Sequence, residues 1–145
     1  MPGIIVGIDD SEIAQHVLDW ATREAGIQHA ELTVLTVVPT IVSQWTGQPL
    51  HYTGGEDAVE KARQAAQDKV AKATSDSAGP QPSSITVKAF EGSPAQALID
   101  ASSGADLVVV GARGIGGFAS LMLGSVSTQV AHHAACPVVI VPAGR

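Results

Sequence analysis

The chain is 145 residues long and 45% hydrophobic, with a formal net charge of -6 from 14 acidic and 8 basic side chains. That length and apolar content suit residues 1–145 folding as one domain around a genuine core, and they exclude a disordered composition. The Lys and Arg residues are thinly scattered and aromatics make up only 3%, which excludes both a basic nucleic-acid stripe and a ring platform for bases.

Ile4 to Ile8 is a short apolar run whose near-continuous hydrophobicity suits a strand buried on both faces of a parallel sheet. It is too short for a signal peptide or membrane span and no positive cluster precedes it, so a cytoplasmic protein without a membrane partner is expected. Asp9-Asp10-Ser11-Glu12 then predict a helix start, with Asp10 or Ser11 as N-cap and Glu12 set against the dipole. This helix buries Ala14, Val17, Leu18, Ala21 and Ala25 and is expected to stop near Gly26. Capping accounts for Asp10, Ser11 and Glu12. Asp9 differs, because it ends a central strand, where open α/β sheets place ligands; it is either a second cap or a ligand contact.

Leu32 to Val38 is a second buried strand, closed by Pro39. Thr40 to Gly55, with Trp45 and Tyr52, has no helical or strand period and reads as a functional or surface loop. From Glu56 to Ser77 the residues Ala58, Ala62, Ala65, Ala66, Val70 and Ala73 outline a long amphipathic helix with a solvated charged face. Ile85 to Phe90 alternates as an edge strand does, with Lys88 guarding its wetter face. Ser93 and Pro94 predict an N-cap and N1 pair, opening a helix through Ala97, Leu98 and Ala101 to a stop near Gly104. Leu107 to Val110 is the fourth strand. The last helix holds Val126, Val130, Ala131 and Ala134, and Val138 to Val141 is the fifth strand. The single cysteine, Cys136, forms no internal disulfide and reads as a small buried residue leading into that strand. His132 and His133 are adjacent and point about 100° apart on a helix, which is the wrong spacing for chelating one metal.

Between the fourth strand and the last helix lies GARGIGGFASLMLGSVS, Gly111 to Ser127. Strand, glycine loop and helix in that order form an anion site, because glycine lets backbone amides approach a ligand and the helix N-terminus presents unpaired N–H groups. The charge pattern agrees. No Asp or Glu follows Asp106, and Arg113 is the only basic residue between Lys88 and Arg145. A Walker A loop is absent, since no lysine accompanies these glycines. Gly114, Gly116 and Ala119 fit the loose dinucleotide form GxGxxA, but the acidic residue expected about 20 positions later is missing.

The spacing Gly111-x2-Gly114-x9-Gly124-Ser125 resembles the G-x2-G-x9-G-S/T loop of the ATP-binding branch of the universal stress protein family. The resemblance extends to the opening IIVGIDDSE, to LTVLTVV and to the close GSVSTQVAHHAACPVVIVP. It implies ATP across the strand ends, with Asp9 on the ribose hydroxyls and backbone near Ile8, Val37 and Val110 lining base and sugar. Gly111, Ala112, Arg113, Gly114, Gly124, Ser125, Val126 and Ser127 would then hold the triphosphate, with the hydroxyls of Ser125 and Ser127 adding to the amides. Ala112 stands where the family often has Ser. Magnesium bridging the phosphates is compatible with this site, although no carboxylate cluster offers it a cage. In this setting Thr40 to Gly55 is either a flap over the base, with Trp45 or Tyr52 as apolar cover, or a dimer-contact loop.

Five strands alternating with four helices imply a doubly wound parallel α/β sheet with helices on both faces. Ligand loops after the first and fourth strands place those strands side by side at the switch point, giving the order 3-2-1-4-5, which is also the family's topology. The fifth strand is then an apolar edge without a guarding charge, and a homodimer through it is expected. The function implied is that of an ATP-binding stress or regulatory protein with at most slow hydrolysis, since no base stands ready to activate water. The alternatives are an ATPase or nucleotidyl-transferring enzyme using the same cleft, and an interaction module whose cleft is empty. An adenylating enzyme is expected to open on an SGGxDS-like loop, which Gly7 to Ser11 does not match.

Overall fold

A computed structural model describes residues 3–39, 55–112 and 124–143. Nine elements follow in order: β1 Ile4–Ile8, α1 Ala14–Gln28, β2 Glu31–Pro39, α2 Gly55–Asp76, β3 Ser84–Gly92, α3 Pro94–Ser102, β4 Leu107–Gly111, α4 Ser125–His133 and β5 Val138–Val141. The strands form one five-stranded parallel sheet in the order β3-β2-β1-β4-β5.

The alternation of side chains along each strand divides the core in two. On one face Ile4, Val6, Ile8, Leu32, Val34 and Val109 pack with Val17, Leu18, Ala21 and Ala25 of α1 and Ala66 and Ala73 of α2. On the other, Leu35, Val108 and Val110 pack with Leu98 of α3 and Val130 of α4. A central strand that must bury both faces is apolar at every position, hence the unbroken runs in β1 and β4. Gly7 faces α3, and a Cβ there would meet the Leu98 side chain at 2.8 Å, so its small size lets α3 approach the sheet. Among the described residues no helix is long and apolar enough to cross a membrane.

Helix boundaries depart from expectation where side chains are spent on turns. α1 begins at Ala14 with Ile13 as N-cap and no capping side chain, so neither Asp10 nor Ser11 caps it. The reason is Asp9, whose Oδ1 accepts from the Ser11 amide at 2.8 Å and forms a separate turn ahead of the helix. At the other end α1 runs past Gly26 to Gln28 and stops at His29, which takes the left-handed conformation at φ 54°. Gly26 is inside the helix for packing, since a Cβ there would run into the carbonyl of Pro80.

Ala58, expected on the apolar face of α2, is exposed, and so is Ala131 in α4. Ser93 does cap α3, its Oγ accepting from the Gln96 amide at 3.3 Å with Pro94 following at N1. Buried Ser102 at the end of α3 was not anticipated. Its Oγ accepts from the Ala135 amide at 2.8 Å and donates to the Ile99 carbonyl at 2.6 Å, fastening α3 to the turn before β5.

Candidate anion and nucleotide site

β1 and β4 are neighbours, and their chains part at the top of the sheet. From β1 the chain turns into α1 on one face, and from β4 it passes to α4 on the other. Strand ends diverging in this way leave a crevice, the place where doubly wound sheets take ligands. The β1–β4 pairing runs Ile4↔Leu107 to Val6↔Val109, an offset that sets Ile8 level with Gly111. The two loops singled out by sequence therefore open side by side.

On the side of β2 the sheet runs past the end of β1. β1 pairs with β2 as far as Ile8↔Thr36, whereas β2 and β3 continue through Val37↔Phe90, Val38↔Glu91 and Pro39↔Gly92. At roughly 3.3 Å per residue this overhang rises about 10 Å above the end of β1. Val37, on its inner part, is buried, and Phe90 beside it is exposed. The overhang was not legible as a site feature, because each strand alone carries no mark of how far its neighbour runs.

The opposite wall is the start of α4. Gly124 is its N-cap at φ -70° and ψ 167°, and no side chain caps the helix. Among the described residues none accepts from the amides of Ser125, Val126 and Ser127, the three first donors of the helix. The Gly124 amide, by contrast, donates to the Ala112 carbonyl at 2.7 Å, and the Ala112 amide to the Val141 carbonyl at 2.9 Å. Both are committed to the protein. Glycines 111 and 124 do not use left-handed backbone, since the one positive-φ glycine among the described residues is Gly92. Their contribution is the missing side chain.

The hydroxyls also divide. Ser125 is exposed at the mouth of the helix. Ser127 is 1% exposed, and its Oγ lies 3.1 Å from the Ala112 carbonyl and 3.0 Å from that of Gly124. On the β1 side Asp9 is half-buried with Oδ1 engaged by Ser11, which leaves Oδ2 for another partner. The structure thus brings together Ile8, Asp9, Val37, Val110, Gly111, Gly124, Ser125, Val126 and Ser127 at one end of the sheet. Arg113, Gly114, Trp45 and Tyr52 lie outside the described residues.

Electrostatically the crevice is two-sided: carboxylates at Asp9, Asp10 and Glu12 flank β1, and no acidic residue follows β4. Among the described residues no group of three or more His, Cys, Asp or Glu side chains could hold a metal. Cys136 is remote from the strand tops, just before β5. It is half-buried and not fully buried as expected, and desolvation raises its thiol above the ordinary value, opposed by a backbone hydrogen bond from Val108 and reinforced by the charge of Asp106.

Comparison with known proteins agrees with this architecture. A universal stress protein of Mycolicibacterium smegmatis is 38% identical over 142 residues, which cover 96% of this chain and 47% of the relative, so the chain spans about half the length of such curated relatives. Among solved structures, universal stress protein UspA from Lactobacillus plantarum superposes with a TM-score of 0.75 at 22% identity, over 97% of both chains. A universal stress protein solved in complex with cAMP superposes with a TM-score of 0.66 at 24% identity, covering 99% of this chain and 100% of that one. The model of the universal stress protein family matches residues 2–142, and the chain belongs to that family.

Proposed function

We propose that this protein binds an adenine nucleotide, with ATP as the ligand, across the ends of β1 and β4, and that nucleotide occupancy sets its state as a cytoplasmic stress or regulatory protein. The observation that carries this reading is the start of α4. Three amides without protein acceptors among the described residues, aligned with the helix dipole, are an anion receptor. Asp9 supports the remainder of the assignment. Its Oδ1 is taken by the Ser11 amide, and a carboxylate at the end of β1 suits the hydroxyls of a ribose better than a phosphate, which separates a ribose end from a phosphate end in this reading. The overhanging pair β2 and β3, with Val37 at its inner part, offers apolar backbone for a base on the ribose side. Arg113 and Gly114 complete the phosphate end in this reading. A solved relative holding cAMP is consistent with an adenine ligand.

Magnesium would arrive with the triphosphate, because the β4 side supplies no carboxylate to hold it. Hydrolysis is slow in this scheme, since Asp9 already accepts from Ser11 and serves the ribose and so is not free to activate water. Mass spectrometry of nucleotide released from gently denatured, purified protein tests the reading. Co-purified ATP supports it, ADP alone points to a turning-over enzyme, and an empty protein that also fails to take up added ATP refutes it.

We also propose a homodimer through β5. Its Val138, Val139 and Ile140 are half-exposed, no charged side chain interrupts the strand, and one edge of its backbone has no neighbouring strand among the described residues. Sedimentation at micromolar concentration should give a dimer, and a monomer would remove this part of the proposal.

A further inference from the structure

We infer that Ser127 is a positioning residue for the anion loop, tying the loop's entry at Ala112 to its exit at Gly124, and not a residue whose hydroxyl touches ligand. This rests on the nucleotide-binding reading for its consequence, though not for its geometry. Ser127 is 1% exposed, so its Oγ has no access to the crevice. The hydroxyl lies 3.1 Å from the Ala112 carbonyl and 3.0 Å from the Gly124 carbonyl, and its single proton is shared between them. The Ala112 carbonyl also accepts from the Gly124 amide at 2.7 Å, so both of its lone pairs are filled from the helix side.

Ala112 in turn is fixed to the sheet through its amide and the Val141 carbonyl. A continuous chain of bonds therefore runs from β5 through Ala112 to the first turn of α4. It sets the direction in which the amides of Ser125, Val126 and Ser127 point. Thr128 supplies an internal contrast. Its Oγ1 donates to the Gly124 carbonyl at 2.8 Å and makes no bond to Ala112, so it stays within its own helix and does not join the two ends.

The test compares Ser127→Ala with Thr128→Ala, with Ser102→Ala as a second buried-serine control outside the site. Two quantities are read: hydrogen exchange of the Gly124 amide in nucleotide-free protein, and affinity for ATP and for adenosine by calorimetry. Ser127→Ala should speed Gly124 exchange about tenfold and weaken ATP about tenfold while leaving adenosine unchanged, the scale of one lost buried hydrogen bond. Thr128→Ala should alter neither, and Ser102→Ala should lower the melting temperature without changing ATP affinity. Unchanged Gly124 exchange in Ser127→Ala overturns the inference, as does equal weakening of ATP and adenosine. If the wild-type protein takes up no ATP, the nucleotide reading falls by itself, and the exchange measurement still decides whether Ser127 holds the loop ends together.

Discussion

Replacing Ser125 by proline removes one backbone donor from the proposed phosphate site and little else. Ser125 is the first residue of α4, where proline's fixed φ suits the helix and its missing N–H breaks no intrahelical bond. The preceding residue tolerates it as well, because Gly124 at φ -70° and ψ 167° already occupies the extended region that proline requires of its neighbour. Ser125 is exposed, so the ring meets no packed core. A hydrogen bond to a charged partner contributes about 1.5–3 kcal/mol, which corresponds to roughly a tenfold to hundredfold loss of affinity. Ser125→Ala isolates the hydroxyl, and the difference between the two variants isolates the amide. Calorimetric titration with ATP should show Ser125→Pro at least about tenfold weaker than Ser125→Ala, with both melting close to wild type. Equal ATP affinity in the two folded variants would refute the claim that this amide meets phosphate.

Three further outcomes are expected. Asp9→Asn keeps an oxygen for the Ser11 amide, so it should fold normally, weaken ATP and adenosine alike by about tenfold, and leave inorganic triphosphate unaffected; loss of triphosphate binding would contradict the ribose assignment. Gly26→Ala gains about 1 kcal/mol of helix propensity but drives a methyl into the Pro80 carbonyl, which no rotamer relieves. A net loss of about 1–2 kcal/mol, or roughly 3–6 °C of melting temperature, should result, whereas Gly104→Ala, in open space, should be neutral or stabilising. Cys136 should react with iodoacetamide more slowly in the folded than in the unfolded chain at pH 8. A raised thiol pKa leaves less thiolate at that pH, and the two rates should converge only as pH climbs past the folded value.

Much of the fold was legible because parallel sheets write it plainly. Strands buried on both faces are unbroken apolar runs, and two ligand-like loops after β1 and β4 imply the strand order that the sheet adopts. Boundaries were less legible where one side chain had two local uses. Asp9 takes the Ser11 amide, which turns the expected capping residues into a turn and moves the helix start to Ala14. Glycine misled at position 26, where it reads as a stop but serves a close backbone approach, while the true stop is a left-handed histidine. Ala58 and Ala131 face solvent because alanine tolerates either side of a helix at little cost.

At the site, the sequence marked the right stretch without dividing its labour. Ser125 and Ser127 look alike in GSVS, and only the fold reveals that one is exposed and the other is turned inward against two carbonyls. Likewise the spacing of Gly111 and Gly124 is informative, but their backbone angles need no glycine freedom, so the signal lies in the side chain withheld. Val37 and Phe90 belong to different strands, and only the register sets them opposite one another.

The run of β2 and β3 past the end of β1 gives that end of the sheet a built-in polarity. Residues 37–39 and 90–92 rise about 10 Å past the end of β1 as a screen on one side of the strand tops. In the proposed nucleotide reading, a guest with one flat, greasy end and one charged end would settle with the ring against that screen and the charge at the start of α4. The two ends can then be altered independently: redesign of Val38 or Glu91 would change which ring is admitted, with the charged tail still anchored where it was.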